Sequence, residues 1–364
     1  VTSFLDGTQP AHGGNLAWAA SLTGCSPLSL LDFSASINPL GPPESAIAAI
    51  QANLQQLRHY PDPSYRELRH ALSQWHKIPA EWILPGNGAA ELLTWAGREL
   101  AELDATYLVK PGFGDYTRAL TAYQGTILPL LLPLDRSSGN LARPFPKVQA
   151  LPGRTGLIIN NPHNPTGYLF SRTSLRPILD QFSLVIVDEA FMDFVGPEPA
   201  ESVARWVMEF PNLVVIGSLT KFYSFPGLRL GYAIAHPDRL RTWQEWRDPW
   251  SVNSLAVAAA IAVLQDHTFQ QQTWNWLSGA RSQLFEGLQK IPGLEPFPGT
   301  ANFLLVQSKI SAIALQRQLL QQDQILIRDC VSFAELGDRY FRVAVRTQPE
   351  NQRLLDALQR LVST

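Results

Sequence analysis

Cysteine is nearly missing from this sequence of 364 residues: only Cys25 and Cys330 occur, far apart and outside any metal-ligand spacing. That argues against a disulfide framework and against a zinc site, so no metal is expected and ordinary packing in a reducing compartment is the expected role of both thiols. Charge of one sign is lacking as well. With a formal net charge of -2, nothing draws the chain to nucleic acid or to an anionic membrane, and anion binding has to come from locally placed basic residues. Long hydrophobic runs are also wanting, since Leu255 to Leu264 and Ile127 to Leu134 are too short to cross a bilayer. Val1 to Asp6 lack the basic start and apolar run of a secretory signal, which gives the expectation of a soluble cytoplasmic protein. No repeat period and no low-complexity block stands out.

What is present is 45% apolar content in a chain longer than one core usually organises, so a large and a smaller domain are expected. Ile47, Ile50, Leu54 and Leu57 recur at helical spacing after Pro42 and Pro43, and Tyr65, Leu68, Leu72 and Trp75 form a second apolar helix face. Short apolar runs then alternate with helical or loop segments: Thr106 to Val109, Thr126 to Leu130, Gly156 to Ile159, Leu184 to Val187, Leu213 to Gly217 and Leu230 to Ala235. Such runs predict an α/β fold with a mainly parallel sheet buried on both faces, where ligands bind at the strands' carboxyl ends. From Leu294 onward, Phe303 to Val306, a helix, Ile325 to Ile327, Phe341 to Val345 and a last helix predict a smaller α+β domain.

Polar groups stand at those strand ends in a definite order: Asn164, Asp188, Ser218 with Lys221, then Arg229. A lysine directly after an apolar strand is partly desolvated, which depresses its pKa and leaves an amine able to attack an aldehyde and later to move a proton. A solvated loop lysine is the plain alternative. Asp188 closes an apolar run, where a carboxylate needs a cationic partner; a protonated pyridine nitrogen and a nearby arginine both qualify. Gly86-Asn87-Gly88-Ala89-Ala90-Glu91 leads into a helix whose free N–H groups suit a phosphate, although a tight turn explains it equally well. It is neither a Walker loop nor a dinucleotide fingerprint. Ser218 and Arg229 can complete a phosphate site. The two prolines of Asn161-Pro162-His163-Asn164-Pro165 fix a turn that either points Asn164 across the pocket or is purely structural, and Phe113 can lie on an aromatic ring or simply pack.

Together these segments resemble the fold type I pyridoxal-phosphate enzymes, in the branch holding histidinol-phosphate aminotransferase and threonine-phosphate decarboxylase. The resemblance rests on Asn-Pro-Thr-Gly at Asn164 to Gly167, Asp188-Glu189-Ala190-Phe191, and Ser218-Leu219-Thr220-Lys221 before Pro226-Gly227-Leu228-Arg229-Leu230-Gly231-Tyr232. It implies an aspartate aminotransferase-like fold, with a large domain over 45–265 and a small one made of 1–44 and 266–364. It implies pyridoxal 5'-phosphate held as a Schiff base on Lys221, its phosphate by Gly88, Ala89, Ser218 and Arg229, its ring by Phe113, its hydroxyl by Asn164 and its nitrogen by Asp188. Tyr60 matches a tyrosine that reaches a neighbouring subunit's cofactor, which implies a homodimer with shared sites. His12-Gly13-Gly14-Asn15, the stretch Asp32 to Gly41, Pro249-Trp250-Ser251-Val252-Asn253 and Phe341 to Thr347 are nearer to the decarboxylase of cobalamin biosynthesis. His12, Asn38, Arg328, Arg342 and Arg346 are then the expected contacts of a small phosphorylated amino acid, with Arg342 gripping its terminal anion. Phe191 stands where many aminotransferases have a tyrosine. The expected reaction is decarboxylation of L-threonine O-3-phosphate, with transamination of histidinol phosphate or a related amino acid as the alternative; a non-catalytic cofactor binder is a third reading.

Overall fold

The computed structural model describes residues 10, 12–136, 142–197 and 200–363. In chain order, helix α1 (Leu16–Thr23) and strand β1 (Leu31–Asp32) precede α2 (Glu44–Ala52), α3 (Arg66–His76), β2 (Ile83–Asn87) and α4 (Ala89–Leu100). Then come β3 (Ala105–Lys110), α5 (Gly114–Thr121), β4 (Ile127–Leu131), β5 (Thr155–Asn160), α6 (Arg172–Leu179), β6 (Leu184–Asp188), β7 (Leu213–Ser218) and β8 (Leu230–Ile234). Helices α7 (Pro237–Trp246), α8 (Ser254–Leu264) and the long α9 (His267–Gln289) lead to β9 (Leu294–Pro296), β10 (Phe303–Ser308) and α10 (Ala312–Asp323). The chain closes with β11 (Ile325–Leu326), β12 (Arg328–Asp329), β13 (Tyr340–Ala344) and α11 (Gln348–Ser363).

Seven strands form the main sheet in the order β2-β8-β7-β6-β5-β3-β4. Only β8 runs against the rest, since it pairs antiparallel with both β2 and β7 while the other pairings are parallel. β5, β6 and β7 are buried along their whole length, which is why they read as unbroken apolar runs. Their period of two splits the core. Leu108, Ile158, Ile186 and Ile216 pack under Leu92, Leu93, Tyr116, Leu120, Leu240 and Trp243 of α4, α5 and α7. Leu157, Ile159, Val185, Val187 and Val215 face the opposite side, where a core including Leu68, Leu72, Ala259 and Leu277 runs on into Phe303, Leu305 and Phe341 of the C-terminal strands. Those strands form a four-stranded antiparallel sheet, β12-β13-β10-β9, and β1 pairs parallel with β11, tying the N-terminal segment to the C-terminal one.

Two local readings change. β2 is a strand although Pro85 and Gly86 give it the look of a turn; it lies at the sheet edge, where a proline lacking its N–H costs least. The helix predicted through Leu57 stops at Ala52, and a tight 3-10 turn over Leu54–Arg58 leaves Leu54 and Leu57 exposed. Asn53 ends it, donating its side-chain amide to the Ala49 carbonyl (2.9 Å). Among the described residues no helix is long and apolar enough to cross a membrane, and no group of three His, Cys, Asp or Glu could hold a metal.

Candidate active site

The parallel strands carry their carboxyl ends to one edge of the sheet, and β8, being reversed, brings its beginning there. Asp188 is the last residue of β6, Ser218 the last of β7, Gly88 follows β2, and Arg229 precedes β8. This edge is where an α/β sheet builds its ligand site.

Asp188 is 4% exposed. Its Oδ2 accepts a hydrogen bond from the Tyr116 hydroxyl (2.7 Å) and its Oδ1 one from the Ala190 amide (2.9 Å). No arginine among the described residues forms an ion pair with it, so the arginine alternative falls away. Burial raises its pKa, and the nearby charge of Lys221 opposes that rise. An anion so placed is complementary to a bound cation. The Lys221 amine lies 4.8 Å from the centre of the Phe191 ring and has no hydrogen-bond partner among the described residues. Burial lowers its pKa, against Asp188 and with Arg342 and Arg229. The lysine is therefore partly buried and, among the described residues, without a hydrogen-bond partner, unlike a fully solvated loop lysine.

Gly88 sits at the N-cap of α4 with φ 76, and no side chain caps the helix, so the first amides remain free for an anion. A Cβ at Gly88 would collide with the Arg229 guanidinium, which shows how closely that cation approaches the helix start. A Cβ at Gly231 would meet the Ala89 amide at 2.6 Å, and Gly231 pairs with Ser218 across the sheet. Gly88, Ala89, Ser218 and Arg229 thus surround one small space, and Ser218 is oriented by Thr220 Oγ1 (2.8 Å). The donor set suits a phosphate.

Asn160 connects the halves of the site: its amide donates to the Asp188 carbonyl (2.9 Å) and its oxygen accepts the Asn164 N–H (2.7 Å). Asn164 Oδ1 accepts from Arg342 (2.5 Å), while its Nδ2 has no partner among the described residues. The peptide bonds before Pro162 and Pro165 are cis. Arg342 is 8% exposed, donates also to the Ser34 carbonyl (3.1 Å), and keeps Nε without a partner. Burial pushes its pKa down to about 10, which marks a cation short of an anion. Phe113 meets Tyr116 edge-on, with centroids 5.6 Å apart, and the tilted His12 ring stands 5.6 Å from Phe113. Arg328 donates to the Pro10 carbonyl (2.8 Å) and to Ser332 Oγ, with Asp329 3.6 Å away.

Three expected site residues stand apart. Asn38 is engaged structurally: its amide donates to Phe222 O and Thr273 Oγ1 (both 2.8 Å) and its oxygen accepts from Leu40 N (3.0 Å), so both of its side-chain donors are used. Its N–H bonds the Lys221 carbonyl (3.0 Å), so it holds the lysine's backbone instead. Arg346 is engaged through its two terminal nitrogens, by Glu350 (2.8 Å) and by the Asp32 carbonyl (3.1 Å), while its buried Nε has no partner among the described residues. Tyr60 is 78% exposed and stacks on Trp250 at 4.5 Å, outside the cluster of its own chain. Tyr116 and Asn160 were missed. Tyr116 lies three residues after Phe113 on α5, and Asn160 sits beside Asp188 in the parallel register, a position readable once β5 and β6 are paired. His163 and Glu189 have structural partners, Thr166 Oγ1 for the first and Ser202 Oγ with Val203 N for the second.

Residues 29–358 match the family described as aminotransferase class I and II. The chain is 41% identical over 362 residues to threonine-phosphate decarboxylase of Salmonella typhimurium, covering 97% of each. It is 30% identical to an adenosylcobalamin biosynthesis bifunctional protein of Leptospira interrogans, over 96% of this chain and 40% of that one. Among solved structures, histidinol-phosphate aminotransferase of Clostridium acetobutylicum superposes with a TM-score of 0.81 at 27% identity, covering 92% of this chain and 99% of that one.

Proposed function

The chain belongs to the class I and II aminotransferase family, and from that premise we propose that it decarboxylates L-threonine O-3-phosphate to (R)-1-amino-2-propanol O-phosphate in cobalamin biosynthesis. The fold is aspartate aminotransferase-like and the cofactor is pyridoxal 5'-phosphate. The observation that carries the choice of reaction is the 41% identity to the Salmonella decarboxylase across both ends of the chain. That likeness covers 97% of this chain, in which Arg328 and Arg342 are cations suited to a substrate with both a phosphate and a carboxylate, and His12, whose pKa burial and Arg328 lower, offers a neutral ring beside them.

The residues present suit the cofactor. Gly88, Ala89, Ser218 and Arg229 would hold its phosphate, Asp188 its ring nitrogen, Asn164 its hydroxyl through Nδ2, and Phe113 one ring face. When bound, pyridoxal phosphate supplies an aldehyde for an amine and a ring that draws electrons from a breaking alpha bond. Asp188 supplies the fixed negative charge that keeps the ring nitrogen protonated. Lys221, with its depressed pKa, supplies an amine that takes the cofactor and then holds or delivers the proton at the substrate's alpha carbon. Arg342, held by Asn164 and Ser34, would grip the substrate's carboxylate and thereby orient the alpha carbon and decide which of its bonds is aligned for cleavage. Phe191 has no hydroxyl and packs on Phe303 (4.9 Å), so the cofactor hydroxyl is left to Asn164.

Residues 45–265 are read as the large domain and 1–44 with 266–364 as the small one, a division supported by the β1–β11 pairing of N- and C-terminal segments. A homodimer with shared sites is supported by the Tyr60 and Trp250 stack standing at the surface instead of in the chain's own pocket. Two free cysteines suit a reducing cytoplasm. The decisive assay offers the cofactor-loaded protein threonine phosphate alone, and separately histidinol phosphate with 2-oxoglutarate. Carbon dioxide and aminopropanol phosphate are expected from the first mixture. Glutamate from the second, with no carbon dioxide from the first, would replace the decarboxylase by an aminotransferase.

A further inference from the structure

The turn after β1 is tied to both anion-binding arms of the site. Ser34 is 2% exposed and all its polar atoms are engaged. Its N–H and its hydroxyl both donate to Asp32 Oδ1 (2.7 and 2.6 Å), and the Ala35 N–H adds a third donor (3.4 Å). The hydroxyl oxygen accepts the Gly14 N–H (2.7 Å), and the carbonyl accepts Arg342 (3.1 Å). Gly13 crosses the same carbonyl so closely that any Cβ would collide with it. On the other side of His12, the Pro10 carbonyl accepts from Arg328. His12 is thus suspended between two anchors, one on Ser34 and one on Arg328. Behind the turn, the Asp32 carbonyl accepts from Arg346, itself fixed by Glu350.

We propose that Asp32 and Ser34 are positioning residues for substrate recognition, a single turn that sets the Arg342 guanidinium with its carbonyl and the His12 segment with its hydroxyl. This rests on the reading that Arg342 and His12 face the substrate's anionic groups. The carboxylate at Asp32 matters because three donors converge on one oxygen, and a charged acceptor holds them more strongly than a neutral one. The hydroxyl at Ser34 matters because it relays that order to a glycine segment with no side chains of its own to pack.

The two connections can be separated. Ser34→Ala removes the hydroxyl and leaves the carbonyl, and Gly13→Ala displaces the segment without touching Asp32; both are expected to raise KM for threonine phosphate about tenfold while kcat stays within about twofold. Asp32→Ala loosens the whole turn and should raise KM and lower kcat together, and Asp32→Asn, which keeps an acceptor oxygen, should recover most of the loss. Cofactor absorbance should match the wild type in Ser34→Ala and Gly13→Ala, since neither residue touches the cofactor cradle, while both should melt a few degrees lower, because the first leaves the Gly14 N–H without its acceptor and the second sets a Cβ against the Ser34 carbonyl. Hydrogen exchange over residues 12–20 should be faster in both, and inorganic phosphate should slow it in the wild type more than in either variant. A KM unchanged in both, or exchange equal to that of the wild type in both, overturns the proposal. Should the wild-type protein leave threonine phosphate untouched, the functional reading has failed, and the exchange comparison still decides whether the turn anchors the segment.

Discussion

Asp188 condenses the chemistry of this site into one side chain. Burying a carboxylate with two hydrogen bonds and no contact cation costs stability at neutral pH, as its raised pKa records. Lys221 offsets part of that loss, and a cationic ring nitrogen would offset more. Asp188→Asn keeps an oxygen to accept from Tyr116 or Ala190 and removes the charge. The apoprotein should then melt no lower than the wild type, while the rise in melting temperature on adding pyridoxal phosphate shrinks, because the bound form loses a charge-assisted hydrogen bond. Turnover at saturating cofactor should fall about ten- to a hundredfold. A variant that melted much lower as apoprotein would instead mark Asp188 as a structural ion, and calorimetry of the two forms distinguishes the cases.

At the scale of elements, the crossing of α4 and α5 joins the phosphate cradle to the ring platform: α4 begins at Ala89, and α5 carries Phe113 at its cap and Tyr116 in its first turn. Gly97 makes the close approach possible, since a Cβ there would stand 2.5 Å from the Ala119 carbonyl oxygen and 2.6 Å from its carbon. Gly97→Ala should gain about 1 kcal/mol in helix propensity. Backbone cannot rotate aside as a side chain can, so overpacking of about 1–3 kcal/mol should win. The expected result is a lower melting temperature together with weaker cofactor retention, read from thermal melts and from absorbance after dialysis. No single glycine of this kind was legible in the sequence. The six apolar strands were, four of them because β5 to β8 are buried on both faces and announce themselves as unbroken runs, and so were Asp188, Ser218 and Arg229 at their ends. β2 was not, because edge position overrides composition. Nor were the commitments of Asn38 and Arg346, since these depend on Thr273 and Glu350, partners that no local pattern names.

Across the whole molecule, burial has displaced titratable groups in opposite directions. A cavity of about 620 Å³ is lined by His76, Glu189, Asp193, Tyr232 and Trp274. Burial raises Glu189 and Asp193 to about 7 and lowers His76 to about 4; His163 is lowered to about 3. Between about pH 4.5 and 6.5 the folded protein holds extra protons on the carboxyls and lacks them on the histidines. The two contributions to the pH dependence of stability therefore oppose each other in that window. Asp193→Asn breaks the balance, and burial alone raises this carboxyl. The folded-state pKa lies above the unfolded value, so ionisation of Asp193 weakens the fold as pH rises through 4 to 7, and the full penalty stands above pH 7. Well below pH 3.8 the carboxyl is protonated in both states, so the effect of the substitution should shrink toward nothing as pH falls through that value. At pH 8 the variant should melt a few degrees above the wild type, and its stability should rise more steeply with pH through the histidine window. Denaturation curves at pH 3.5, 5.5 and 8 measure this; a gain that is the same at all three would show that Asp193 is paired in solution and that its burial carries no charge penalty.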